Sequence, residues 1–143
     1  MDLESHLARC PGTWRGAAPA SNSSLESLKA TAQIQLPADY VRFLSISNGG
    51  EGDLAIEPGW VAFWPAEHIL ELNREYEITA LAPGLFGFGS NGGGELLAFD
   101  TRGGVPYPVV AVPFIPLDLS HVIRVADDFA SFVSVVGVSA PAA

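Results

Sequence analysis

The sequence predicts a single α+β domain in which helices pack around a mainly antiparallel sheet. Three observations lead there. The chain has 143 residues, and two domains of about 70 residues would each sit where a lone core needs extra staples. It is 48% apolar and only 16% charged, enough material for a sizeable core. Its strand-like runs follow one another across turn residues instead of alternating with helical crossovers, the pattern of antiparallel pairing.

Each element has its own signal. Residues 1–23 mix Gly, Pro, Ala and Ser with little periodicity and read as an N-terminal extension or linker. Within them Leu3 and Leu7, four apart, with Trp14 behind them, allow a short helix docking on the body. Ser24 can cap a helix carrying Leu25, Leu28 and Ala32. Pro37 suits the first turn of a second helix because its missing N–H would be unpaired there anyway. Leu36, Tyr40, Phe43, Leu44 and Ser47 share one face of it, and Asn48-Gly49-Gly50 stops it. Leu54-Ala55-Ile56 and Trp60 to Trp64 flank Glu57-Pro58-Gly59 as a hairpin or two short strands. Pro65 opens a third helix, from Ala66 to about Ala80, turning Ile69, Leu72, Tyr76 and Leu81 inward and Glu67, Glu71, Glu75 and Glu77 outward. Ala82-Pro83-Gly84 ends it.

The period then changes to two. Leu85 to Gly89 and Glu95 to Asp100 flank Ser90-Asn91-Gly92-Gly93-Gly94, a loop rich in residues that tolerate φ > 0. Pro108 to Phe114 supplies another strand, and the prolines at 106, 108, 113 and 116 favour a sheet edge. Asp127 caps a last helix, Asp128 to about Val136, with Phe129, Phe132, Val133 and Val136 as its apolar stripe. The domain thus spans residues 24–137, and 138–143 form a short tail.

Charge narrows the partners. Seven basic against sixteen acidic residues leave a net charge of −9. The cations Arg9, Arg15, Lys29, Arg42, Arg74, Arg102 and Arg124 are scattered. Such a surface repels phosphate backbones, which argues against nucleic acid and anionic membrane and favours a basic protein or peptide. The first residues carry acids and lack an apolar stretch of about 7–15 residues, so no signal peptide is visible. No apolar run approaches about 18 residues. Cys10, the single cysteine, cannot form an internal disulfide. The chain reads as cytoplasmic.

Chemical motifs are sparse. Gly87-Phe88-Gly89-Ser90-Asn91-Gly92 matches the dinucleotide-binding glycine pattern by letter. That motif needs a helix after the glycines to receive the pyrophosphate, and here Gly93-Gly94 and a strand follow. His6, His68 and His121 are too dispersed for a zinc site, and no serine sits in a nucleophile elbow. Catalytic residues, cofactors and metals are therefore expected to be absent. Glu51, Asp53, Glu57, Glu95 and Asp100 are the carboxylates from which a glycosidase-like pair would have to come, without spacing that selects one. Trp60, Phe63 and Trp64 near Tyr76 could form a ligand platform, while burial of Trp60 and Trp64 with Ala62 against the third helix is the structural alternative.

Two segments together resemble a known family. Leu36-Pro37-x-x-Tyr40-x-x-Phe43-Leu44-x-x-x-Asn48-Gly49-Gly50 is similar to the opening signature of the SUKH superfamily, the Smi/Knr cell-wall-assembly-regulator-like domain. Gly87 to Glu95, with Gly89, Asn91, Gly92, Gly93 and Gly94, followed by Leu97-Ala98-Phe99-Asp100, resembles its second block. Asp128-Phe129-x-x-Phe132 is similar to its final helix. The resemblance implies about six mainly antiparallel strands with helices around them and motif residues that are structural. It also implies a non-catalytic module, in bacteria commonly an immunity protein that binds and neutralises a cognate polymorphic toxin. A toxin domain with a basic surface would meet Glu51, Asp53 and Glu57, the acidic row Glu67, Glu71 and Glu75, and Trp60. The alternatives are a small-molecule or peptide-binding regulatory module of the same fold and a carboxylate-dependent hydrolase. The oligomeric state is not fixed by these residues.

Overall fold

The computed structural model, which describes residues 2–139, holds one sheet of seven strands arranged in chain order. They are β1 (Trp14–Arg15), β2 (Gly50–Asp53), β3 (Trp60–Phe63), β4 (Leu85–Ser90), β5 (Glu95–Asp100), β6 (Val109–Pro113) and β7 (Ile123–Ala126). Every neighbouring pair is antiparallel. The helices are α1 (Leu3–Arg9), α2 (Asn22–Thr31), α3 (Ala38–Ile46), α4 (Ile69–Glu75), α5 (Ile78–Leu81) and α6 (Phe129–Val133). The α+β architecture is as expected, with one strand more than six. Of the tail, residues 140–143 lie outside the described residues.

The two faces of the sheet are covered differently. On the inner face Val61, Phe63, Phe86, Phe88, Leu97 and Phe99 meet α3 and α6 through Tyr40, Phe43, Leu44, Phe129 and Phe132. Phe43 and Phe63 lie with ring centroids 4.4 Å apart, and Phe88 and Phe99 4.7 Å apart. Aromatic pairs at such separations add to the burial of their area. On the outer face a smaller cluster forms where α5 brings Ile78 and Ala82 over Leu96, Ala98, Val110 and Val112.

The family-like signature spans α3 and the turn that follows it. Pro37 precedes α3, and its carbonyl accepts from the N–H groups of Tyr40 and Val41. After the helix, Gly49 and Gly50 take φ of 103° and 106°, a region open to glycine at little cost. Asn48 then ties this end to the chain beyond β3. Its Oδ1 accepts from the N–H of Ala66 (2.8 Å) and its Nδ2 donates to Glu67 (2.9 Å). Asn91 shapes the β4–β5 hairpin, its Oδ1 accepting from the N–H groups of Gly93 and Glu95.

Several local expectations are corrected. The cap of α2 is Ser21, whose Oγ accepts from the N–H of Ser24, and the cap of α6 is Asp128, not Asp127. The strand expected at Leu54–Ile56 lies earlier, at Gly50–Asp53, and Leu54 instead bridges to Val136. The long helix from Ala66 is split. Glu77 adopts a left-handed φ of 54° between α4 and α5, at a cost of about 1–2 kcal/mol for a side-chain-bearing residue. Tyr76 and Leu81, expected inside, are consequently exposed. The proline-bracketed strand β6 is interior, because only Pro113 belongs to it and sits at its end opposite Glu95.

Residues 1–23, expected as an extension or linker, carry α1 and the edge strand β1. Leu3 and Leu7 are buried, and the Trp14 ring lies 6.1 Å from both Phe43 and Phe63. The N–H of Gly12 donates to the carbonyl of Gly137 (2.7 Å), and His6 Nε2 donates to that of Val136 (2.9 Å).

Candidate functional site

The strand register decides which side chains share the outer face. Glu51 pairs with Ala62, Asp53 with Trp60, Arg15 with Glu51, and Ala62 with Ser90. Cross-strand partners point to the same side, and Val61 and Phe63 between them are buried inward. Arg15, Glu51, Trp60, Ala62 and Ser90 therefore occupy the outer face at the β1–β3 end. The helix α5 covers that face further along.

Trp60 is half-buried, with the Arg15 guanidinium carbon 6.0 Å from its ring centroid and Gly92 of the hairpin loop beside its five-membered ring. A guanidinium over an indole is favourable by roughly 0.5–1 kcal/mol at an exposed site. Trp64 lies away from it. Its ring stacks on Tyr76 at 6.1 Å and 18°, and Tyr76 in turn meets Phe114 at 4.6 Å and 34°. The result is two separate aromatic features, not one platform against the third helix.

The six carboxylates singled out in the sequence divide into two groups. Asp53 Oδ2 accepts from the Thr13 N–H (2.7 Å) and the Ser139 hydroxyl (3.1 Å), fastening the N-terminal segment to the end of β2. Glu51 lies 3.8 Å from the Arg15 guanidinium, an exposed pair of little energetic weight. Glu67 stands before α4, not on it, and the Ser24 hydroxyl and the Asn48 amide hold its carboxyl below the usual carboxylate range. By contrast, the exposed side chains of Glu57, Glu71 and Glu75 make no hydrogen bond or ion pair among the described residues. Glu57 belongs to the β2–β3 connection, and Glu71 and Glu75 lie one turn apart on α4.

Most of the cations are committed to carboxylates. Five of the seven cations, Arg15, Lys29, Arg42, Arg102 and Arg124, are within 4 Å of a carboxylate. Asp100, which closes β5, receives two of these hydrogen bonds from the Arg102 guanidinium at 2.9 Å each. That guanidinium holds the Asp100 carboxyl below its ordinary range. Asp100 is thus a turn-fixing residue, like the other motif residues around it.

Sequence reasoning missed two contributors to this region. Arg15 was hidden in a two-residue strand too short to show alternation. Phe114 follows a proline and carries no periodic signal of its own. Among the described residues no group of three or more His, Cys, Asp or Glu side chains converges as metal ligands. No described helix is long and apolar enough to cross a membrane.

A seven-stranded antiparallel sheet with helices on both faces, a glycine-turned hairpin at one end and an open acidic and aromatic outer face define a small α+β module. The model of the SMI1 / KNR4 family (SUKH-1) matches residues 19–135, and the chain belongs to that family. The matched stretch runs from the residue before Ala20 through α6, so α1 and β1 precede it. No curated protein matches the chain.

Proposed function

We propose that this protein is a non-catalytic, cytoplasmic protein-binding module of the immunity type, which neutralises a cognate toxin by covering a basic surface on it. Family membership supports the class of function. The observation that carries the choice of partner is the set of uncommitted carboxylates Glu57, Glu71 and Glu75 beside an outer face that bears Trp60 and the Trp64–Tyr76–Phe114 row. A protein of net charge −9 with its cations mostly paired attracts a basic partner over long range, and half-buried aromatic rings supply short-range contact area. Nucleic acid and anionic membrane are disfavoured by the same field.

The test is kinetic. Replacing Glu57, Glu71 and Glu75 together by Lys is expected to slow association with a verified cognate toxin by about tenfold or more at low salt and to flatten the salt dependence. Unchanged association removes this surface. Failure of the unmodified protein to protect cells from any toxin encoded beside it removes the immunity reading itself.

A further inference from the structure

A second site lies on the neighbouring flank of α4. A cleft of about 540 Å³ opens between the end of α2, the α4–α5 corner and the start of β4, within the range of about 300–1,000 Å³ typical of small-ligand sites. Its floor is apolar, formed by Ile34, Leu70, Leu85 and Phe86 from three segments, the chain after α2, α4 and β4. Its wall is rigidly held. Asn73 donates through Nδ2 to the carbonyls of Ile69 and Gly87 and accepts through Oδ1 from the Gly87 N–H, locking α4 onto β4.

The rim carries one charge of each sign. Leu70 and Arg74, four residues apart, form the row of α4 that lines the cleft, whereas Glu71 and Glu75 form the next row. Arg74 has no carboxylate within 4 Å among the described residues, although five of the other six cations do. Glu77 lies on the same rim, unpaired among the described residues, in the left-handed conformation that splits the helix and turns the chain at the cleft's edge. Backbone held in a sparsely populated region by a non-glycine residue is found preferentially at binding sites.

The geometry points to a small zwitterion with an apolar body, an apolar dipeptide or amino acid with both ends free, as the ligand of this cleft. A planar guanidinium is suited to bidentate contact with a carboxylate, and Glu77 is placed to receive an ammonium. The ligand's side chains take the apolar floor. Net charge and the local rim charges together decide against the simpler ions. A free anion would enter against a protein of charge −9, and a free cation would face Arg74, whereas a zwitterion meets neither cost and satisfies both rim groups.

The probes are the dipeptide Leu-Phe, its N-acetyl derivative and its C-terminal amide, titrated into the full-length ¹⁵N-labelled protein at millimolar concentrations. Saturable shifts of the Leu70, Thr79 and Gly84 amides with Leu-Phe are expected, with each blocked derivative about tenfold weaker. Glu77→Gly deletes the carboxylate at a backbone conformation glycine adopts freely, so the fold is kept. This variant should bind Leu-Phe and its N-acetyl derivative equally, and Arg74→Gln should bind Leu-Phe and its amide equally. No saturable shift, equal binding of all three probes to the unmodified protein, or shifts confined to the Trp60 face would each overturn the proposal. Binding or its absence at this cleft leaves the toxin-binding reading as it stands.

Discussion

Tyr40 belongs to the family-like signature, yet its hydroxyl is at odds with its surroundings. The side chain is fully buried, and Oη has no hydrogen-bond partner among the described residues. Burial alone pushes its pKa up, because the phenolate would be stranded in an apolar core. The ring is well used, with centroids 5.8, 5.2 and 5.3 Å from those of Phe88, Phe99 and Phe129. Tyr40→Phe keeps those contacts and removes only the oxygen. An unsatisfied buried hydroxyl costs about 1–3 kcal/mol. The oxygen-sized void, roughly 15 Å³, returns about 0.4 kcal/mol of that at about 24 cal/mol per Å³. Tyr40→Phe is therefore expected to stabilise the protein by roughly 1 kcal/mol, raising Tm by about 3 °C for a chain of this length. Urea unfolding followed by tryptophan fluorescence would show a higher midpoint at an unchanged slope. Tyr40→Ala should lose about 3–5 kcal/mol in the same assay, since it deletes the ring as well. A Tyr40→Phe variant destabilised by about 1 kcal/mol would refute the reasoning, for the hydroxyl would then have to be hydrogen-bonded.

Two further outcomes follow from the same physical picture. An added Cβ at Gly52 would overlap the Thr13 carbonyl and come within 3.0 Å of Trp14 Cα. Gly52→Ala should expel β1 from the sheet edge and cost about 1–3 kcal/mol, read as lost hydrogen-exchange protection at the Asp53 amide, which donates to Thr13. Asp100, beside Arg102, and Asp128, whose carboxylate accepts from the Ser131 N–H, both have depressed folded-state pKa values. Their stabilisation is present above the unfolded carboxylate value of about 4 and is lost as pH falls through the folded values. Asp128→Asn keeps a capping side chain but cannot titrate, so its urea midpoint should fall less steeply on acidification than that of the unmodified protein, and an identical slope would contradict the assignment.

Legibility from sequence tracked how much each segment does through side chains. The helix α3 declared itself because Tyr40, Phe43 and Leu44 fall on one stripe and a proline and two glycines mark its ends. The β4–β5 hairpin did so through alternation around a glycine-rich loop. The strand β2, Gly-Glu-Gly-Asp, has almost no strand propensity. It exists because its backbone pairs on both sides, with β1 and β3, and because glycine at position 52 lets Thr13 approach. The short strand β1 and the exposed strand β7 were invisible for a related reason, since a sheet edge needs few buried side chains. The break after α4 was equally hidden. Nothing local in Tyr76-Glu77 disfavours a helix, and the left-handed turn is imposed by the need to set Ile78 and Ala82 over the outer face.

The candidate surface was half legible for a reason that matters to any test of it. Sequence ranks Glu51, Asp53, Glu57, Glu67, Glu71 and Glu75 alike, as charges. In the fold, Asp53 anchors Thr13 and Ser139, and Glu67 is tied to Asn48. Removing either would loosen the N-terminal segment or the end of α3, and weakened binding would then report lost scaffold rather than lost contact. Hydrogen bonds to charged groups are each worth about 1.5–3 kcal/mol, comparable with a binding hot spot. Charge reversal is most informative at Glu57, Glu71 and Glu75, whose carboxylates hold nothing else in place among the described residues. A loss of association there, with the urea midpoint unchanged, isolates the field of the surface from the stability of the domain that carries it.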